Sequence, residues 1–120
     1  MQSIRRAPGK RRKGSTISTV LLTIAIWREA EHWLSECVEL GIRSFGSDPE
    51  DAAEQAMDAV CSYLNTLEEI GERERVFAEK SIGVYTGAPA EVHLAHLSRE
   101  MVARDGLQIR PFEAPLGSFA

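Results

Sequence analysis

HWLSECVELGIRSFGSDPEDAAEQAMDAVCSYL, residues 32–64, decides the fold. His32 to Val38 alternates as a strand does, with Trp33, Ser35 and Cys37 on one face and Leu34 and Val38 on the other. Glu39-Leu40-Gly41 turns the chain, and Ile42 to Phe45 makes a short partner strand. Gly46 suits a bulge or a strand exit. Asp48-Pro49-Glu50-Asp51 is a helix start: Asp48 caps, Pro49 takes the first helical position, and the acids sit at the positive end of the dipole. Ala53, Ala56, Met57, Val60, Cys61, Leu64 and Leu67 then recur at helical spacing until Gly71 ends the run. A helix of about 21 residues is about 32 Å long at 1.5 Å per residue, enough to cover a sheet of three or four strands.

Upstream, Val20, Leu22, Ile24 and Ile26 alternate with Leu21, Thr23, Ala25 and Trp27. That pattern fits a strand with one well-buried face and a second, semi-apolar one. Arg28-Glu29-Ala30-Glu31 is a polar turn into the return strand. Downstream, Glu72 to Lys80 reads as a short charged helix anchored by Val76 and Phe77. Ile82 to Tyr85 is a fourth strand, closed by Gly87 and Pro89. Leu94, Leu97 and Met101 have helical spacing, whereas Val92, Leu94 and His96 alternate as a strand would; a helix stopped at Gly106 is the expectation. Leu107 to Leu116, with Pro111 and Pro115, is an extended segment that needs the body to hold it down. The class is α+β: a small antiparallel sheet of three to four strands with one long helix packed on one face, a short second helix and a C-terminal extension. The division is a basic arm over residues 1–17, a core domain over 18–86 and an extension over 87–120.

Charge is distributed unevenly. Arg5, Arg6, Lys10, Arg11, Arg12 and Lys13 place six of the fourteen basic residues in the first 13 positions, which hold no acid. The rest of the 120-residue chain carries eight basic against eighteen acidic residues, a net of −10. An arm with so little to bury is expected to be disordered, and it is the candidate for gripping phosphates. A body at −10 repels nucleic acid and attracts a basic protein. Basic residues ahead of the apolar run Ile17 to Trp27 resemble the start of a signal peptide, but Trp27-Arg28-Glu29 follows where a small-x-small cleavage site would be. That run is also too short to span a bilayer. Cys37 and Cys61 fall at apolar positions and read as buried, reduced thiols. The expected compartment is the cytoplasm.

Catalytic constellations are weak. His93, His96 and Glu100 would share a helix face and could hold a metal, but one segment alone supplies them and a surface pair explains them as well. Glu36, Glu39, Asp48 and Asp51 surround one end of the sheet, as two-metal nuclease carboxylates do. Asp48 and Asp51 are nevertheless explained as helix-cap acids, and Glu36 and Glu39 as solvated or partner-facing. Ser35, Ser44 and Ser47 lack a nucleophile-elbow context, and no Gly-rich phosphate loop is present. No catalytic residue, metal or cofactor is expected. Trp27 and Trp33 flank the hairpin, and an exposed one would mark a contact surface.

Taken together, Trp33, Ser35, Glu39, Leu40, Gly41, Ser44, Gly46, Pro49, Glu50, Asp51, Ala52 and Ala56 give an order of motifs that resembles the HicB family of antitoxins. Glu68-Glu69-Ile70-Gly71, leading to Val76 and Ile82, looks like the continuation in stand-alone members, so the resemblance covers residues 19–86. It implies a partial RNase H-like fold and a non-catalytic function: binding and neutralising a small basic HicA-type toxin ribonuclease. It also implies a homo-oligomer, dimer or tetramer. The sheet edge and the region around Trp33, Glu36 and Glu39 are the expected partner surface. Two departures stand out. The family's Glu-Leu-Pro-Gly turn is Glu-Leu-Gly here, and Gly106, Pro111 and Pro115 leave no room for the two helices of a C-terminal DNA-binding domain. DNA, if bound, would meet the N-terminal arm. The other readings are a stand-alone HicB-like scaffold or transcriptional regulator without a toxin, and a metal-dependent nuclease.

Overall fold

The computed structural model of the chain describes residues 18–86 and 94–116. The basic arm, His93, and the Gly87 and Pro89 strand exit lie outside the described residues. Eight elements follow in order: β1 Ser18–Glu29, β2 His32–Cys37, β3 Ile42–Gly46, α1 Pro49–Ile70, α2 Arg73–Glu79, β4 Val84–Thr86, α3 Arg99–Val102 and β5 Gln108–Pro115. The class is the expected one, an antiparallel sheet carrying one long helix, but the sheet has five strands.

β1 organises the sheet. It pairs antiparallel with β2 over Ile24–Glu29, with β4 over Ser18–Val20 and with β5 over Thr19–Ile26. A strand has two edges, and the β5 span overlaps both other spans. β5 therefore takes one edge, while β2 and β4 share the other, end to end. β3 pairs with β2 and lies at the rim. The extension expected to be held down by the body is in fact a full strand of it.

Pro111 and Pro115 are compatible with that strand because of register. Thr23 directs both its N–H and its C=O toward β2: its carbonyl accepts from Val38 N at 2.9 Å. Thr23 stands opposite Pro111, and Thr19, of the same parity, opposite Pro115. Both prolines thus occupy non-hydrogen-bonded pairs, with their nitrogens turned away from β1.

Residues 20–27 of β1 are all buried. Val20, Leu22, Ile24 and Ile26 face α1 and pack with Val60, Leu64, Leu67 and, from α2, Val76 and Phe77. The other face, read from sequence as semi-apolar, is also covered. Ala25 and Trp27 pack there with Met101, Leu97, Leu107 and Ile109. The covering segment is not the expected helix. Residues 94–98 carry no regular structure, and α3 is four residues capped by Ser98, whose side chain accepts from Met101 N. Leu97 packs on the sheet surface while Leu94 stays exposed, and Ala95 N–H donates to Thr23 Oγ1 at 2.8 Å.

The start of α1 is fixed as its sequence requires. Asp48 accepts from Asp51 N, and Gly71, at φ 73°, closes the helix with a Schellman pair: Gly71 N to Glu68 O and Glu72 N to Leu67 O. Arg110 of β5 reaches Glu50 in the first turn with both Nη atoms, at 2.9 and 2.8 Å. That contact holds the Glu50 carboxyl below its usual range. The first buried residues of α1 are Ala52, Ala53 and Ala56, small enough for the helix to come down on the end of β3.

Gly46 marks the closest approach. A Cβ there would lie 2.4 Å from Ala52 N and 2.8 Å from Ala52 Cα, both backbone atoms that cannot swing aside. Gly46→Ala is expected to cost about 2 kcal/mol, the scale of core overpacking, and urea denaturation measures it. An unchanged midpoint would mean that α1 is not seated on β3 as described.

Candidate protein-interaction surface

The three residues expected to form a partner surface do not share one. Trp33 lies on the α1 side of the sheet, half-buried, with its ring against the Gly106 turn; a Cβ at Gly106 would sit 3.2 Å from Trp33 Cη2. Glu36 lies on the opposite face, paired with Arg43 at 2.8 Å. Glu39 turns inward. Its Oε1 accepts from Thr23 N and its Oε2 from Thr23 Oγ1, both at 2.8 Å.

The Glu39 contact has a structural reason. β2 ends its pairing with β1 at Ile24 and β4 begins at Val20, which leaves a gap in that edge of β1. Thr23 N–H points into the gap, and the Glu39 carboxylate supplies the acceptor that a neighbouring strand would otherwise provide. Glu39 thereby serves as a side-chain substitute for a missing ladder bond.

The carboxylates weighed as a two-metal site are dispersed by these roles. Glu36 pairs with Arg43, Glu39 with Thr23, Asp48 with Asp51 N, and Asp51 with Ser47 N at 2.9 Å. The Ser47 backbone N–H lowers the Asp51 pKa, as does the Gln55 amide. Among the described residues no group of three or more His, Cys, Asp or Glu side chains is placed to hold a metal. His96 lies in the irregular stretch before α3, so the helical spacing that would bring it over Glu100 does not form.

Both cysteines are free thiols, Cys37 buried and Cys61 half-buried. Burial pushes the Cys37 pKa up to about 12, with the neighbouring Glu39 and Glu36 charges adding to the rise. Such a thiol stays protonated near neutral pH and is no nucleophile. Trp27 is fully buried and contributes no contact surface. The guanidinium of Arg104 lies 4.1 Å from its ring centroid and that of Arg43 5.5 Å away.

The open surface lies at β3. Phe45 is 70 % exposed, the most exposed large apolar side chain among the described residues. With His32 and Leu34 it lines an apolar depression of about 290 Å³ on the sheet face away from α1. Along the rim runs a groove of about 610 Å³ lined by His32, Arg43, Ser44, Phe45, Ser47, Asp51 and Gln55 with Gly46. Phe45 and Gln55 were not singled out by sequence, and His32 reads there as a polar turn neighbour. The available signal was parity: Phe45 pairs with Leu34, so it falls on the face opposite Ser44 and Gly46.

No family model, curated protein or solved structure matches this chain. Among the described residues no helix is long and apolar enough to cross a membrane.

Removing the Glu39 carboxylate leaves Thr23 N–H without its acceptor inside the fold. Glu39→Ala is expected to destabilise the chain by about 1–3 kcal/mol. The Thr23 amide should exchange with solvent far faster than its neighbours in β1, as hydrogen exchange read by NMR would report. Full stability in the variant would remove this role for Glu39.

Proposed function

We propose that this chain is a non-catalytic binding domain, a HicB-like antitoxin that covers a small basic HicA-type ribonuclease. The observation that carries the reading is the β3 rim: a strand whose outer edge is unpaired, with Phe45 exposed beside a groove, on a body whose sequence beyond the arm nets −10. The hairpin, third strand and long helix follow in the order that the motif resemblance implies. The residues with chemical potential are occupied structurally: Cys37 is buried and protonated, and Glu39 closes a gap in the sheet. Such a surface favours recognition by shape, backbone pairing and charge. A basic partner meeting it would be held in part by long-range attraction, which weakens as the screening length falls from about 30 Å at 0.01 M salt to about 3 Å at 1 M.

The test is recovery of the chain from its host at low and high salt. The expected outcome is a small basic protein retained at low salt and released at high salt. Once released it should cleave RNA, and adding the chain back should stop the cleavage. Recovery of the chain alone, or of a partner with no action on RNA, would remove the antitoxin reading.

A further inference from the structure

The β5 and β3 rims of the sheet are built differently. The outer side of β5 presents residues 109, 111, 113 and 115, those whose backbone groups face away from β1. Two of them are prolines without an N–H, and a third is Glu113. Prolines and charges at such positions block the addition of another strand. β3 has no such protection. Parity carried from Thr23 through Val38 makes Ile42, Ser44 and Gly46 the residues hydrogen-bonded to β2. Arg43 and Phe45 therefore direct their N–H and C=O groups outward. The one charged side chain on this strand, Arg43, is folded back onto Glu36 and the Trp27 ring. The window is short, because the next outward N–H, that of Ser47, is taken by Asp51.

We propose that β3 accepts an antiparallel strand from a basic partner protein, with a residue triplet of apolar–basic–apolar pattern, at the rim assigned above to toxin binding. The outer two residues of the triplet stand opposite Arg43 and Phe45 and exchange four backbone hydrogen bonds with them. Their side chains fall on the face of Phe45 and Leu34 and cover the exposed ring. The middle residue stands opposite Ser44 and points to the α1 side, where the groove is lined by Asp51 and Gln55. Asp51 accepts hydrogen bonds there but has no cationic partner among the described residues, whereas Arg43 is already neutralised by Glu36. A lysine or arginine in the middle position supplies the missing charge. A second copy of this chain would bring Arg43, Ser44 and Phe45, with a neutral residue in that position, and a body of the same negative sign.

The assignment rests on the binding-domain reading, and its test separates the two. The isotope-labelled full chain is titrated by NMR with an acetylated heptapeptide centred on Val-Lys-Val, and with its Val-Glu-Val counterpart. The expected result is perturbation of the Arg43 and Phe45 amides and the Gln55 side-chain amide. Binding of the lysine peptide should be about tenfold tighter, equivalent to 1.4 kcal/mol. Arg43→Pro, which removes the outward N–H without touching the β2 ladder, should abolish binding, while Arg43→Ala retains it. Gln55→Arg should reverse the preference toward the glutamate peptide. Equal binding of both peptides, perturbations elsewhere, or Arg43 and Phe45 amides that shift with protein concentration alone would overturn the assignment, the last giving the edge to a second copy. If Arg43→Pro retains the RNA-cleaving partner as well as the parent does, the antitoxin reading stands and the edge assignment falls. If no such partner exists but the peptide pattern holds, the reverse is true.

Discussion

The fold depends on pairing one buried strand along both of its edges. β1 is buried on both faces, so each of its backbone groups needs a partner within the protein. β5 supplies one edge from the far end of the sequence. β2 and β4 divide the other edge, and the Glu39 carboxylate takes the Thr23 N–H that falls between them. The same threonine binds the C-terminal segment through Ala95 N–H, so the closure of the edge and the covering of the second face meet at one residue. A carboxylate in this position is fully used by the fold, which is why an acid that looks available in sequence is withdrawn from surface chemistry.

With β1 paired on both sides, the outer strands of the sheet among the described residues are β3, β4 and β5. β5 spends two prolines on its outer side, while β3 spends none and carries an exposed phenylalanine instead. Edges that natural sheets leave unguarded invite pairing. Here the contrast exists within one molecule, and the unguarded rim runs beside a groove that reaches the acidic start of α1. Recognition at that rim would need little rearrangement, because β3 is held in register by β2 and pressed from above by α1 at Gly46.

Local signals made the first half of the chain legible. The alternation of residues 20–27, the faces of β2, the Asp48–Pro49 start and the Gly71 stop of α1 all depend on neighbours within one element. β5 was not legible as a strand, because whether Pro111 and Pro115 are tolerated depends on which way their nitrogens point against β1, a matter of long-range register. The segment before α3 was read as helical from Leu94, Leu97 and Met101, yet burial of Trp27 and Ala25 recruits Leu97 and Met101 in an irregular path and leaves Leu94 exposed. Tertiary burial overrode spacing. Among the expected contact residues, the inward turn of Glu39 has the same kind of cause: its acceptor role is set by a gap between strands sixteen positions and more away. Phe45 was readable in principle, by counting parity through the Gly41 turn from Leu34.

Native-state hydrogen exchange across β1 and β3 tests the central claim most directly. Amides of Leu22, Ile24 and Ile26 face β5, and those of Ala25 and Trp27 face β2. The account predicts that both sets exchange only through global unfolding, at matching rates corrected for sequence, while the Arg43 and Phe45 amides exchange through local access to solvent. Faster exchange of the β5-facing set by orders of magnitude would show that the C-terminal strand is not part of the core and would contradict the account.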